Sequence, residues 1–127
     1  MTRKIMLDTN FLVAPFQLSI DLFDEIDRIY PVNEVYTLED AIQEARSIEQ
    51  GRYKNLVDKL IETQDIEVLE TEGEGEVDDL LVEICDDFII ATNDRELKER
   101  LVKKGAEVLF IRSGSHLEAL NRKELGI

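Results

Sequence analysis

Short apolar runs alternate along the chain with amphipathic stretches, so the pattern predicts strands alternating with helices. The apolar runs predict five strands, at 4–7, 34–37, 66–69, 88–91 and 107–111. Spacing of three to four residues between apolar positions predicts helices over 9–30, 37–50, 53–63, 77–87 and 94–104. Pro15 is expected to interrupt the first of these helices, and Pro31 to end it. The glycines of 71–76 predict a loop, and the tail from about Arg112 is left unassigned.

This alternation predicts one α/β domain over residues 1–127, a three-layer α/β/α sandwich around a mainly parallel five-stranded sheet. The common strand order for such a sheet, with right-handed crossovers, is 3-2-1-4-5. Open sheets of this kind bind ligands outside the carboxyl ends of their strands, where the strand order reverses. Asp8 follows the first strand and Asp94 follows the fourth, so both acids are expected at one crevice.

The joint between the fourth strand and the next helix carries Thr92, Asn93 and Asp94. Asn93 is a good N-cap, with Glu96 as its capping-box partner. A cap therefore explains Asn93 better than it explains Asp94. An earlier helix is expected to open in the same way, with a capping box at 37–40.

Acidic residues fall on the apolar sides of two predicted helices. At about 100° per residue, Asp78 lies within the stripe formed by Leu81, Val82 and Cys85, whereas Asp79 lies at its edge or beyond. Unpaired charges on a core-facing side are costly, so such carboxylates need bases, donors or a cation.

Asp94 likewise lies in line with Leu97 and Leu101 on its own helix. Glu44 only flanks an apolar stripe, so for this residue alone a solvated helix acid is an equally good interpretation. Converging carboxylates raise one another's pKa, and a hard divalent cation removes that conflict. Asp8, Asp78 and Asp94 are therefore expected to bind Mg²⁺ or Mn²⁺, with Glu44 as a fourth catalytic acid, in metal-assisted phosphodiester hydrolysis.

Composition limits the other classes of function. No apolar run approaches the roughly 20 residues of a membrane span, and the N-terminus lacks the layout of a signal peptide. The single cysteine, Cys85, excludes an internal disulfide and a multi-cysteine metal site, which favours the cytoplasm. His116 stands alone and is expected to be satisfied or solvent-facing. The net charge of −14 repels polyanions unless the basic residues are grouped.

Four segments together resemble the PIN-domain nucleases over nearly the whole chain: "LDTN", "IQEARSI", "VDDLLVEIC" and "ATNDRELKERL". The second departs from the usual Glu-Leu pair by carrying Ala45, which leaves Glu39 and Glu49 as weaker alternatives to Glu44. Asn10 and Thr92 match small polar positions that support the acidic cluster in that family. Asp79 and Asn93 are further supporting candidates.

The resemblance implies an endoribonuclease that depends on Mg²⁺ or Mn²⁺ and acts either in rRNA processing or as a toxin. Its expected partners are RNA and an antitoxin or a ribosome-assembly protein, and a homodimer is expected because many members dimerise. The fourth segment and "EVLFIR" are more similar to the rRNA-maturation proteins of archaea. Arg95 and Lys98, the bases nearest the crevice, are expected to contact RNA.

Three alternatives compete with this interpretation. A receiver domain needs an acidic pair directly after the first strand, and "LDTN" has one acid. A haloacid-dehalogenase-type phosphatase needs a second aspartate where Asn10 stands. A non-catalytic PIN scaffold that binds RNA or protein remains consistent with the acidic surface, although the set of four acids argues against it.

Overall fold

The computed structural model describes residues 2–71 and 75–120. Across these residues the chain forms one six-stranded sheet in the order β3-β2-β1-β4-β5-β6. The strands are β1 (Arg3–Leu7), β2 (Asn33–Leu38), β3 (Glu67–Leu69), β4 (Ile89–Ala91), β5 (Val108–Arg112) and β6 (His116–Leu120). Neighbouring strands from β1 to β5 pair in parallel, and β6 pairs antiparallel to β5. The predicted α/β class and strand order are confirmed, and the sixth strand lies in the tail that the pattern left unassigned.

Helices connect the parallel strands on both faces of the sheet. They are α1 (Thr9–Leu18), α2 (Leu22–Ile29), α3 (Glu39–Ser47), α4 (Lys54–Thr63), α5 (Val77–Ile84) and α6 (Arg95–Lys103). Helices α1, α3 and α4 pack together, and α5 packs against α6. Right-handed crossovers place these two groups on opposite faces of the sheet, which gives three layers. None of the helices in the described ranges is long and apolar enough to cross a membrane.

Four predicted helix boundaries are wrong, and one of them is the end of α5, which stops at Ile84 and not near residue 87. Pro15 lies inside α1 and does not interrupt it, and the helix stops at Ser19, whose φ of 54° is left-handed. The capping box predicted at 37–40 is absent, because the Thr37 hydroxyl donates instead to the main-chain oxygen of Leu7 at 2.9 Å. Helix α3 ends at Ser47 and not near residue 50, because Glu49, with a φ of 48°, begins a left-handed turn. The predicted loop at 71–76 falls outside the described residues at 72–74.

The centre of the sheet is fully apolar and supports the ends of β1 and β4. Ile5, Met6 and Leu7 of β1 have no exposed surface, and neither does Ile90 of β4. Side chains in a close-packed protein interior have little room to move. The residues that follow these two strands are therefore held on a rigid base.

The outer edge of β6 is covered by two side chains of α2, which we call the Glu25–Arg28 clamp. The backbone N–H of Leu117 donates to Glu25 Oε1 at 2.9 Å, and the Leu117 carbonyl accepts from Arg28 Nη2 at 2.9 Å. The two clamp residues also pair with each other at 3.0 Å. Hydrogen bonds from Arg28 and from the Leu117 backbone lower the pKa of Glu25. The clamp thus satisfies main-chain groups that an edge strand would otherwise leave open.

Candidate active site

Asp8 lies at the carboxyl end of β1 and is buried, with 4% of its surface exposed. It is the N-cap of α1, because its Oδ1 accepts the backbone N–H of Phe11 at 2.9 Å. Its own N–H donates to the carbonyl of Ala91 in β4 at 3.1 Å. The pKa of the Asp8 carboxyl is raised to about 7, chiefly by burial and to a smaller extent by the negative charges of Asp78 and Asp94. Asp8 is therefore a buried acid with like charges beside it.

Thr92 links the ends of β1 and β4. Its fully buried hydroxyl hydrogen-bonds to Asp8, which lowers the pKa of that carboxyl against the effect of burial. The same oxygen accepts the backbone N–H of Asp94 at 3.0 Å. Thr92 thus contacts both acids. Its predicted role in supporting the acidic cluster stays a prediction.

Asp94, and not Asn93, is the N-cap of α6. Its Oδ1 accepts the backbone N–H of Leu97 at 2.8 Å. The Asn93 amide instead pairs with the backbone of Ile111 in β5, donating at 2.9 Å and accepting at 2.7 Å. The predicted cap at Asn93 with Glu96 is wrong, because the neighbouring strand offers Asn93 two main-chain partners. Asp94 is solvent-exposed, although Leu97 below it is fully buried.

Asp78 and its neighbour Asp79 have different surroundings. Asp78 is half-buried, and its pKa is raised by burial first and then by Asp94 and Glu44, while Arg100 opposes the rise. The side chain of Asp79 is 58% exposed and forms an ion pair with Arg100, Oδ1 to Nη2, at 2.9 Å. Asp78 therefore faces the other acids, whereas Asp79 faces a base.

Glu44 reaches the same region from α3. Its Oε2 accepts the hydroxyl of Thr9 at 2.9 Å, and its side chain is exposed. Thr9 directly follows Asp8, so this bond joins α3 to the start of α1. The sequence did not predict this hydrogen bond from Thr9 to Glu44. The position of Thr9 directly after Asp8 was the only indication of its role.

The four predicted acids line one cleft, the acidic cleft, with a volume of about 350 Å³. Its lining residues are Asp8, Thr9, Asn10, Glu44, Ser47, Ile48, Asp78 and Asp94. A second cleft of about 330 Å³, the adjoining cleft, shares two of these residues and is lined by Glu44, Glu76, Val77, Asp78, Asp79, Glu96, Leu97 and Arg100. A larger cavity of about 640 Å³ lies at the opposite ends of β1 and β4, where Arg3 and Lys4 accompany Asp86 and Asp87. The acidic cleft differs from it because no basic residue stands among its lining residues.

Carboxylate oxygens are the donors that Mg²⁺ and Mn²⁺ prefer, so the acidic cleft fits such an ion in ligand type and charge. Within residues 2–71 and 75–120, however, no three acidic, histidine or cysteine side chains are placed to hold a metal ion as they stand. Asp8 and Asp94 each direct Oδ1 to a helix N–H, and this contact leaves Oδ2 of each carboxylate for a cation. A cation would offset the repulsion that contributes to the raised pKa of Asp8 and of Asp78.

The two bases expected to contact RNA line neither cleft. Arg95 is 92% exposed and stands 3.8 Å from Glu99, while the Lys98 ammonium lies 4.8 Å from the centre of the Phe110 ring. Arg100 is the base that borders the acids, and no pattern in the sequence distinguishes it from the other bases of α6. Its partner Asp79 lies on another helix, so no local spacing in the sequence reveals the pair.

Comparisons with known proteins agree with the fold of this chain. The family model described as a PIN-like domain matches residues 5–114. Among solved structures, that of the PIN domain endonuclease Utp24 aligns with a TM-score of 0.78 at 22% sequence identity, over 93% of this chain and 92% of that one. At this identity the likeness shows a shared fold. No curated protein matches the chain.

Proposed function

The chain belongs to the PIN-like domain family, and on this basis we propose that it is a divalent-metal-dependent endoribonuclease that hydrolyses RNA phosphodiester bonds. The observation that carries the proposal is the burial of Asp8, with a pKa raised to about 7, in a cleft shared with other acids. Ser, Thr or Asn would cap α1 as well as Asp does. The cap therefore does not explain a buried charge, which is costly without a compensating cation.

Asp8, Asp78 and Asp94 would hold Mg²⁺ or Mn²⁺. When bound, such an ion activates water and stabilises the negative charge that develops on a phosphodiester under attack. The side chains around these acids fix their orientation. The Phe11 N–H and the Thr92 hydroxyl donate to Asp8. The backbone N–H of Leu97 in α6 donates to Asp94.

Glu44 faces the same cleft from α3 and is held there by Thr9. An exposed carboxylate in this place can accept a proton from an attacking water molecule. Asn10 lines the cleft beside it and can donate a hydrogen bond to substrate or water. Glu44 would thus transfer the proton, while Asp8, Asp78 and Asp94 would bind the metal.

RNA is the proposed substrate, in an rRNA-processing role or in a toxin role. The motifs after β1 and β4 support the nuclease assignment, and the fold shared with an endonuclease supports it as well. Arg95 and Lys98 remain proposed contacts for RNA that extends beyond the clefts, because both lie on α6. The alternative is a non-catalytic scaffold, which is favoured by one observation: no three of the described carboxylates already surround a common point.

Cleavage of a structured RNA with and without Mn²⁺ tests the proposal. The wild-type chain should cleave in Mn²⁺ and stop in EDTA, and Asp8→Asn should lower the rate by about a hundredfold or more. Asp86→Asn is the matched control, because it removes an exposed acid at the opposite end of the sheet. RNA binding without cleavage in Mn²⁺ or in Mg²⁺ would support the scaffold and refute the nuclease.

A further inference from the structure

Arg100 occupies a distinctive place in the described part of the chain. It is the one Lys or Arg among the residues that line either the acidic cleft or the adjoining cleft. Its side chain is 43% exposed, so the guanidinium is accessible from solvent. The two clefts share Glu44 and Asp78, which places Arg100 next to the acids of the proposed site.

The guanidinium contacts one acidic neighbour and lowers the pKa of another. Asp79 Oδ1 lies 2.9 Å from Arg100 Nη2, and the positive charge opposes the raised pKa of Asp78. A guanidinium has five N–H donors in a planar fork, so one contact with Asp79 leaves donors for a further acceptor. Exposed ion pairs add little to stability, so holding α5 to α6 is a weak reason for this pair.

A polyanion that enters these clefts meets acids on nearly every side. The protein carries a net charge of −14, so the phosphates of a bound RNA need a local cation besides any metal. Arginine suits this task, because its fork matches two phosphate oxygens. The wall of the adjoining cleft offers such a cation beside Asp78, one of the proposed metal ligands.

We infer that Arg100 binds a backbone phosphate next to the scissile one, through the N–H donors that its ion pair with Asp79 leaves open. The inference rests on the proposed function, since it assigns a subsite to the same RNA. It places the phosphate next to the scissile one at the junction of α5 and α6, whereas Arg95 and Lys98 would contact RNA farther along the strand.

The test compares Arg100→Gln with two matched controls. Asp79→Asn breaks the same ion pair but keeps the guanidinium, and Lys103→Gln removes an equal charge from the same helix outside both clefts. Fluorescence anisotropy with a single-stranded RNA, in EDTA over a series of low salt concentrations, gives the affinity and its salt slope. Cleavage kinetics in Mn²⁺ give KM and kcat.

Arg100→Gln should weaken RNA binding about tenfold and reduce the salt slope by about 0.7, because one phosphate contact is lost. In cleavage, KM should rise more than kcat falls. Asp79→Asn should bind RNA at least as well as wild type, and Lys103→Gln should leave the salt slope unchanged. Arg100→Lys, which keeps the charge and loses the fork, should fall between wild type and Arg100→Gln.

Equal weakening by Arg100→Gln and Asp79→Asn would show a merely structural pair and overturn the inference. It would also be overturned if Arg95→Gln with Lys98→Gln reduced the salt slope while Arg100→Gln did not. If the wild-type chain cleaves RNA and Arg100→Gln has the same KM, the inference about Arg100 is wrong and the proposed function stands. Binding that depends on Arg100, without cleavage in any metal, defeats the proposed nuclease and supports the phosphate contact.

Discussion

The buried hydroxyl of Thr92 hydrogen-bonds to the buried carboxylate of Asp8 between the ends of the two central strands. The groups that favour the ionised form of Asp8 are two neutral donors, this hydroxyl and the N–H of Phe11. Burial and the charges of Asp78 and Asp94 act in the opposite direction. The acid is thus oriented by its neighbours without being neutralised by them, which leaves the binding of a cation favourable.

Removing the Thr92 hydroxyl should therefore affect both stability and chemistry. Thr92→Val keeps the shape of the side chain but leaves Asp8 and the N–H of Asp94 without their partner, at a cost of about 1–3 kcal/mol in the free energy of unfolding. Thr92→Ser keeps the hydroxyl and should retain most of the cleavage rate in Mn²⁺. Urea unfolding and cleavage rates check this. Equal losses in the two variants would show that the methyl group matters and the hydroxyl does not.

The pH dependence of stability without metal should report Asp8. Its folded-state pKa of about 7 lies above the ordinary value of 3.8, so the folded chain binds more protons than the unfolded chain. The contribution of Asp8 is therefore most favourable below pH 4, declines as the pH rises from about 4 to about 7, and is constant above that range. In EDTA, Asp8→Asn should be the more stable protein at pH 8, by up to about 4 kcal/mol, and should match wild type near pH 4.

Urea unfolding at several pH values and constant salt measures this difference. Asp86→Asn, which lies at the opposite end of the sheet, serves as the control and should run parallel to wild type. An Asp8→Asn variant that is less stable than wild type at pH 8 would contradict the raised pKa.

Asp78 and Asp79 should respond differently to metal. Asp78→Asn removes a charge that Asp94 and Glu44 repel, so it should melt no lower than wild type in EDTA. In Mn²⁺ the order should reverse, because a cation at a hundredfold excess over its Kd stabilises wild type by about 2.7 kcal/mol and the variant has lost a ligand. Nuclease activity should collapse in Asp78→Asn.

Asp79→Asn is the neighbouring control. Its ion pair with Arg100 is exposed, so its loss should cost at most about 1 kcal/mol, with or without Mn²⁺. Thermal melts at fixed monovalent salt decide between the two residues. If Asp79→Asn showed the metal-dependent reversal, the assignment of Asp78 as the third acid would be wrong.

Asn93 should matter for stability more than for chemistry. Its amide makes two hydrogen bonds with the backbone of Ile111, so Asn93→Ala should cost about 1–3 kcal/mol. Asn93→Asp keeps the acceptor but places a carboxylate oxygen opposite the Ile111 carbonyl, so it should be no more stable than Asn93→Ala. The cleavage rate of each folded variant should stay within about threefold of wild type, since Asn93 does not line the acidic cleft. A large loss of rate in a stably folded variant would point to a direct role.

Much of the fold follows from local pattern. The parallel strands are short apolar runs with buried side chains, as in β1 and β4, and their order is confirmed. Strand β6 gave no such signal, because only Leu117 is buried along it. Its pairing depends on β5 and on the Glu25–Arg28 clamp, which are distant in sequence.

The side-chain roles at the site were harder to predict than its location. The sequence placed Asp8 and Asp94 together because parallel strands end at the same edge. It assigned the cap of α6 to Asn93, because propensity could not include the partners that Ile111 offers. It also missed Arg100, since the ion pair with Asp79 exists only after α5 and α6 have packed. Local signals located the crevice, and tertiary contacts determined which atoms face it.

The Glu25–Arg28 clamp also has a consequence for assembly. At Leu117 both main-chain groups on the outer side of β6 are already occupied, so an extended peptide or a second copy cannot add a strand at this position without first displacing two charged side chains. Displacement would break the hydrogen bonds of Glu25 and Arg28 with the Leu117 backbone. Occupation of this position therefore disfavours the pairing of another strand along the centre of β6.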